Sequence, residues 1–423
     1  MTSLRKASFF ERYQICRTEN KYYLNFNITV EYPFPITKAK LSRALSHLIK
    51  DNPILGCNFF GSTDNDYRDY VLKSIPITFD SVVEYTEYDV NPEFFEFLNT
   101  IYFEMNCTKP LWKLFIKDSR ITICCNHAYF DGNGEAFFHK ELFRLLLDTS
   151  DDVEFQNVLS KEVDSLSESV TEVCSLYKTP IWFLIRGALQ LWLPNWMRKL
   201  VAYFTYPNIN KYPMFQNKPI SLNQHTNFSV INLNNDIVSK MLAITRSTST
   251  KLTPWLITIA LQTFQEFHPN RSMSIAIPLN GRRYYDLDMF QVAVAESSID
   301  IEPITNPIAT TNYITKRLQR DLDSRHPFYF VGLLKYINIG SFLKSKIGTH
   351  KRSTMEISNV GKMPLPCWFS QDNGFLSHLQ FNVVSSPQGM NIVIGLLDLD
   401  VDSYTKAFLK RLMAVVDEYI DTN

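Results

Sequence analysis

Strand-like and helix-like segments alternate through both halves of this chain, which predicts a mixed α/β (α+β) fold with two β-sheets, each covered by helices. Three observations carry that expectation. The chain has 423 residues, more than one hydrophobic core usually serves, so two packed units are expected. Apolar residues make up 45% of it and aromatics 14%, enough to fill two cores and unlike a disordered chain. Apolar side chains recur at every second position in some runs and every third or fourth in others, with no repeat of the solenoid type.

In chain order, "FPITKAKLSRALSHLIKDNPIL" puts Leu41, Ala44, Leu45, Leu48 and Ile49 on one helical face, with Thr37 as N-cap and Pro53 just past the end. "ILGCNFF" reads as a strand. "PLWKLFIKDSRITICCNHA" reads as two strands reversing between Lys117 and Arg120, with His127 ending the second. From Gly134 the period becomes helical, and Phe137, Phe138, Leu142, Leu145 and Leu146 form one stripe. Residues 149–225 are poor in strand signals and are read as a crossover, which divides the chain into 1–160, 161–225 and 226–423.

The second unit opens with the strand "TNFSVINL". In "TKLTPWLITIALQTFQEF" Thr253 is the expected N-cap, Pro254 sits in the first turn, and Leu256, Ala260, Phe264 and Phe267 line one face. "SMSIAIPLNGRRYY", "STMEISNVGKM", "LSHLQFNVVSS" and "GMNIVIGLLDLDV" read as strands. "SYTKAFLKRLMAVVDEYI" closes the chain as a helix buried through Phe408, Leu412, Val415 and Tyr419.

Charge excludes some functions. Forty-three basic residues balance 43 acidic ones, so no strong field would gather nucleic acid. The seven cysteines are scattered without CxxC pairs, as expected of reduced thiols in a cytoplasmic protein. The start "MTSLRKASFFERYQICRTENKYY" has no apolar block of the secretory kind. Residues 181–204, "IWFLIRGALQLWLPNWMRKLVAYF", are interrupted by Arg186, Pro194, Arg198 and Lys199, so they are not expected to span a bilayer. They read either as a buried helix or channel wall, or as an amphipathic segment making peripheral contact with a membrane such as the endoplasmic reticulum or a lipid droplet.

The chemistry concentrates in "ITICCNHAYFDGNGEAFFHKEL". His127 and Asp131 stand at a strand-to-helix corner, and Gly132 and Gly134 relieve backbone sterics where the chain is expected to turn sharply. No metal site is expected: there is no HExxH, no third ligand stands nearby, and His139 lies along the following helix. A nucleophile is also missing. Cys125 shares a strand face with His127, but residues two apart on a strand are separated by about 6.7 Å, and no GxSxG elbow occurs. General-base catalysis by the imidazole remains.

"HAYFDG" resembles the HxxxDG signature of the acyltransferase superfamily that includes chloramphenicol acetyltransferase, nonribosomal-peptide condensation domains, plant BAHD acyltransferases, wax-ester synthases and fungal alcohol O-acetyltransferases. The resemblance extends further. "LSRALSHLIKDNPILGCNF" is similar to the family's early helix and strand, "TPWLITIALQTF" to the helix opening its second subdomain, "IPLNGRRYY" to its arginine-bearing strand and "EISNVGKMP" to its SNxG turn. The fungal alcohol acetyltransferases look closest; the DFGWG hallmark of the plant branch is absent.

The resemblance implies two chloramphenicol-acetyltransferase-like subdomains with an active-site tunnel between them. It implies a monomer with no bound cofactor, acetyl-CoA or another acyl-CoA as co-substrate, and an apolar alcohol or amine as acceptor. His127 would be the general base of a direct transfer without an acyl-enzyme, its pKa near the ordinary value of about 6.5. Asp131 would pair with Arg282, or its neighbour Arg283, to steady the histidine loop together with Gly132. Ser358 and Asn359 would line the tunnel and stabilise the oxyanion. The alternatives that stay open are N-acetylation of a long-chain or lipid-like amine, hydrolysis of a thioester or ester, and a non-catalytic lipid-binding member of the fold.

Overall fold

The two periodicities sort into two mixed sheets in the computed structural model, which describes residues 3–185, 194, 196–197, 212–222, 224–287, 289–350, 352–397 and 400–422. The first sheet has five strands in the order Cys367–Gln371, Phe26–Glu31, Arg120–Cys125, Trp112–Lys117, Val83–Tyr85. Only its last pair is parallel. The second has six, in the order Asn227–Asn234, Gly389–Leu396, Ser377–Ser386, Ser353–Lys362, Met273–Asn280, Val294–Ile301, and Ser353–Lys362 runs parallel to both its neighbours.

One strand crosses between them. Cys367–Gln371 comes from the second half of the chain yet pairs antiparallel with Phe26–Glu31, Phe369 opposite Ile28. A contiguous unit over 226–423 does not contain this exchange, because alternation specifies a strand but not the sheet it joins. The exchange ties the two sheets covalently and brings Phe369 and Gln371 to the space between them.

Capping chemistry explains the helix starts. Thr37 Oγ1 accepts the Lys40 amide at 3.2 Å, and the helix Lys38–Asp51 buries all five predicted apolar positions. The helix Leu252–Phe267 differs from expectation. It begins two residues earlier, after Lys251 and without a side-chain cap, so Thr253 lies inside its first turn, and Phe267 is exposed. "SNVG" is not a turn either: it belongs to the strand Ser353–Lys362, whose pairing slips between Asn359 and Lys362, with Gly361 at φ 87°.

His139 shows how a histidine serves a core. It lies on the helix Gly132–Asp148, almost fully buried; Nε2–H donates to the Ile28 carbonyl and Nδ1 accepts from the Tyr32 hydroxyl, each at 3.0 Å. Burial pushes its pKa down to about 4, against which the Ile28 carbonyl acts weakly. The unfolded chain, with an ordinary imidazole, therefore binds more protons than the folded one between about pH 6.5 and 4. The stability contribution is complete above pH 6.5 and is lost as pH falls through that window, at up to roughly 1.4 kcal/mol per pH unit. Urea midpoints of wild type and His139→Gln across that window check this: the variant's acid loss should be smaller, and parallel losses would refute it.

Candidate active site

The strand bearing the histidine stops at Cys125, so His127 lies two residues beyond it, in a turn rather than at the strand's end. Asn126 builds that turn. Fully buried, it donates its backbone N–H to Leu111 O (2.9 Å) and its Nδ2–H to Thr18 Oγ1 (2.8 Å), while its Oδ1 accepts the Ala128 amide (2.8 Å). An Asx-type turn of this kind holds the following residue at a fixed angle. Tyr129 adds a second anchor, its hydroxyl donating to the Cys57 carbonyl. Cys125 donates to the buried carboxyl of Glu135 at 3.1 Å.

Asp131 closes the turn and opens the helix Gly132–Asp148 as its N-cap, Oδ1 accepting the amides of Asn133 (3.1 Å) and Gly134 (3.2 Å). The same carboxylate accepts the Ala293 amide at 2.9 Å and holds Arg282, whose Nη1 donates to both oxygens at 3.0 and 2.8 Å. Arg282 Nη2 donates in turn to the carbonyls of Met289 and Gln291. Arg282 sits in the 3-10 turn Gly281–Arg283 after the strand Met273–Asn280, not in the strand. Arg283 is exposed, over the ring of Tyr284.

Both glycines serve close packing rather than a left-handed turn, since neither has positive φ. A Cβ on Gly132 would stand 3.0 Å from Val360 Cγ1, and one on Gly134 would stand 2.7 Å from Phe130 Cβ and 2.8 Å from the Met289 carbonyl. The helix start thus packs directly against the Val360 side chain of the second sheet and the Met289 carbonyl.

His127 opens on a cavity of about 580 Å³ between the sheets. Phe26 and Phe369 wall it from the first sheet; Leu279, Ala295 and Ser358 wall it from the second. The imidazole packs against Phe26 and Tyr23 at ring-centre distances of 4.8 and 5.9 Å, and no neighbouring residue bonds its Nδ1. Burial and then the positive charge of Arg17 push its pKa down to about 4, against Asp131 and its own carbonyl. The ordinary value expected from the sequence does not hold: Arg17, near the end of the helix Phe9–Glu19 and far from His127 along the chain, is invisible to a motif.

At neutral pH the ring is accordingly uncharged and keeps a lone pair for a proton. For a general base in the free enzyme, kcat/KM should fall as pH drops with a midpoint near 4, not near 6.5. Initial rates at low acceptor concentration from pH 8 to 4 check this, and a midpoint above 6 would contradict it.

Ser358 and Asn359 both line the cavity, but they differ in freedom. The Asn359 amide is occupied, Nδ2 donating to Thr253 Oγ1 at 3.3 Å and Oδ1 accepting the Gly361 amide at 2.9 Å. Ser358 is partly buried, and among the described residues its hydroxyl carries no such bond. Arg17, Tyr23, Glu356 and Gln371 also line the cavity and were not singled out from the sequence. They lie on a helix end, a loop and two strands far apart in the chain, so no spacing links them.

Among the described residues no group of three His, Cys, Asp or Glu side chains stands close enough for a metal ion. No described helix is long and apolar enough to cross a membrane. Of the aromatic segment 181–204, Trp182 and Phe183 pack on His326 and Tyr329, and most of the remainder, with its expected membrane contact, lies outside the described residues.

Two mixed sheets, a strand exchanged between them and a histidine turn opening on the space between the halves define a chloramphenicol-acetyltransferase-like acyltransferase. Solved structures agree on the fold. The trichothecene 15-O-acetyltransferase of Fusarium sporotrichioides superposes with a TM-score of 0.68 at 13% identity, covering 97% of this chain and 94% of that one. Polyketide synthase associated protein 5 of Mycobacterium tuberculosis gives 0.64 at 14% identity over 99% of both chains. The first condensation domain of the calcium-dependent antibiotic synthetase gives 0.64 at 11%, covering 98% of this chain and 96% of that one. An uncharacterised protein of Schizosaccharomyces pombe is 22% identical over 391 residues, 86% of this chain and 82% of its own length. The sequence model of the alcohol acetyltransferase family matches residues 6–420, and the chain belongs to that family.

Proposed function

We propose that the protein transfers an acyl group, acetyl in the first instance, from acyl-CoA to the hydroxyl of an apolar alcohol, with His127 as general base. One observation carries the reading: an uncharged imidazole opens on a cavity of about 580 Å³ between the two halves, with aromatic and aliphatic side chains in its wall. The alcohol oxygen attacks the thioester carbon while imidazole nitrogen takes its proton. The resulting oxyanion is met by the Ser358 hydroxyl as a donor. The carbon–sulfur bond then breaks, the thiolate leaves and the imidazolium returns the proton to sulfur, so no acyl-enzyme forms. Asp131 and Arg282 act as positioning residues, holding the turn through the helix start and the Ala293 amide.

The test is release of free thiol from acetyl-CoA in the presence of alcohols of graded length, with product masses recorded. Alcohol-dependent release with ester formation is expected. Free acid in place of ester would assign hydrolysis, an amide formed in preference from matched amines would assign N-acylation, and no release by folded protein would leave only a binding role.

A further inference from the structure

Two side chains in the cavity wall have chemistry that the transfer reaction does not use. Arg17 is 5% exposed; its Nη1 donates to Gln14 Oε1 at 2.9 Å and its guanidinium carbon lies 4.2 Å from the centre of the Tyr23 ring, but Nη2 has no hydrogen-bond partner among the described residues. Among the described residues no carboxylate stands within ion-pair distance of it. Glu356 is 4% exposed; its Oε1 accepts from Gln371 Nε2 at 3.0 Å, and Oε2 has no hydrogen-bond partner among the described residues. A buried charged donor and a buried charged acceptor left open are costly unless something completes them.

The two lie on one connected wall. Tyr23, stacked under Arg17 and 5.9 Å from the imidazole, donates its hydroxyl to Gln371 Oε1 at 3.2 Å, and Gln371 holds Glu356. Charge selects the occupant. Arg17, Lys346, Glu296 and Glu356 all line the cavity, and Asp131 is paired with Arg282, so neither sign dominates. An ammonium would meet Arg17 and a carboxylate would meet Glu356. A hydroxyl, with one donor and two lone pairs, satisfies both at once.

We propose that this wall binds a second hydroxyl of the acceptor between Arg17 Nη2 and Glu356 Oε2, so that the preferred acceptors are apolar diols or polyols acylated at one position. The proposal rests on the transfer reading for the fate of the first hydroxyl, but not for binding. Burial, with the charge of Glu296, raises the Glu356 carboxyl to about 7, against Gln371, Arg17 and Gln380. It is therefore available near neutral pH both to accept from a hydroxyl and to donate to one.

The experiment measures Kd by calorimetry for dodecanediols, with the second hydroxyl at increasing distance from the first, against dodecanol, on the full-length protein without acyl-CoA. The same compounds are then compared by kcat/KM. At least one diol should bind roughly tenfold or more tightly than dodecanol, and this ratio should collapse toward one in Arg17→Met and in Glu356→Leu. Should Glu356→Leu not fold, Glu356→Gln, which keeps shape and one acceptor, should lower the ratio partway. Equal affinities for every diol and dodecanol, or a ratio unchanged in folded Arg17 and Glu356 variants, overturns the proposal. Tight diol binding without thiol release refutes transfer and leaves the subsite standing; thiol release with no diol preference does the reverse.

Discussion

His127→Ala is expected to lower kcat for transfer to an apolar alcohol by about 10²–10⁴-fold, the usual worth of a positioned general base. The fold should survive. The turn around position 127 is held by Asn126, Tyr129 and Asp131 rather than by the imidazole, whose Nδ1 bonds no neighbour. KM should move less than kcat, because the lost contact acts on the proton and not on the apolar skeleton of the acceptor. Glu356 is the rival base in the same cavity, its carboxyl held near the pH at which a base works best. If Glu356→Gln were the more damaging of the two, or if His127→Ala kept more than about a tenth of wild-type turnover, the assignment would pass from the imidazole.

Asp131→Ala should destabilise the protein by about 3–5 kcal/mol, the cost of breaking a buried ion pair from one side. The pair is fully desolvated, with side-chain exposures of 7% for Arg282 and 2% for Asp131. Removing the carboxylate leaves the Arg282 charge buried and strips two helix amides and the Ala293 amide of their acceptor. Asp131→Asn keeps the cap and loses the charge, so it should fall between wild type and alanine. Arg282→Met with Asp131→Asn should cost less than the two single changes together, since neither charge is then stranded. Urea unfolding of the four proteins measures this coupling. A cost below about 1 kcal/mol for Asp131→Ala would place the pair with surface bridges.

Much of the fold was legible because burial is periodic. The helix Lys38–Asp51 could be read from spacing because one of its faces meets a core, and the hairpin Trp112–Cys125 because two β-rich runs flank a short polar turn. The uncapped start of Leu252–Phe267 could not, because packing of Leu256, Ala260 and Phe264 stabilises that helix without its cap. The strand character of "SNVG" was hidden by a glycine that marks a bulge as readily as a turn. In the site, the pair Asp131–Arg282 followed from the resemblance. Arg17 and Glu356 carry no local pattern, and their importance comes from what surrounds them.

The chain by itself determined the class of fold, the family motif and the residue types available at the histidine turn, because these depend on neighbours within a few positions along the backbone. Tertiary structure decided which sheet Cys367–Gln371 joins, why His127 is uncharged and which groups share its cavity. Desolvation and the field of a distant guanidinium are set by distances through space, and side chains as far apart in sequence as Arg17 and Glu356 acquire those distances only when the two sheets close on each other.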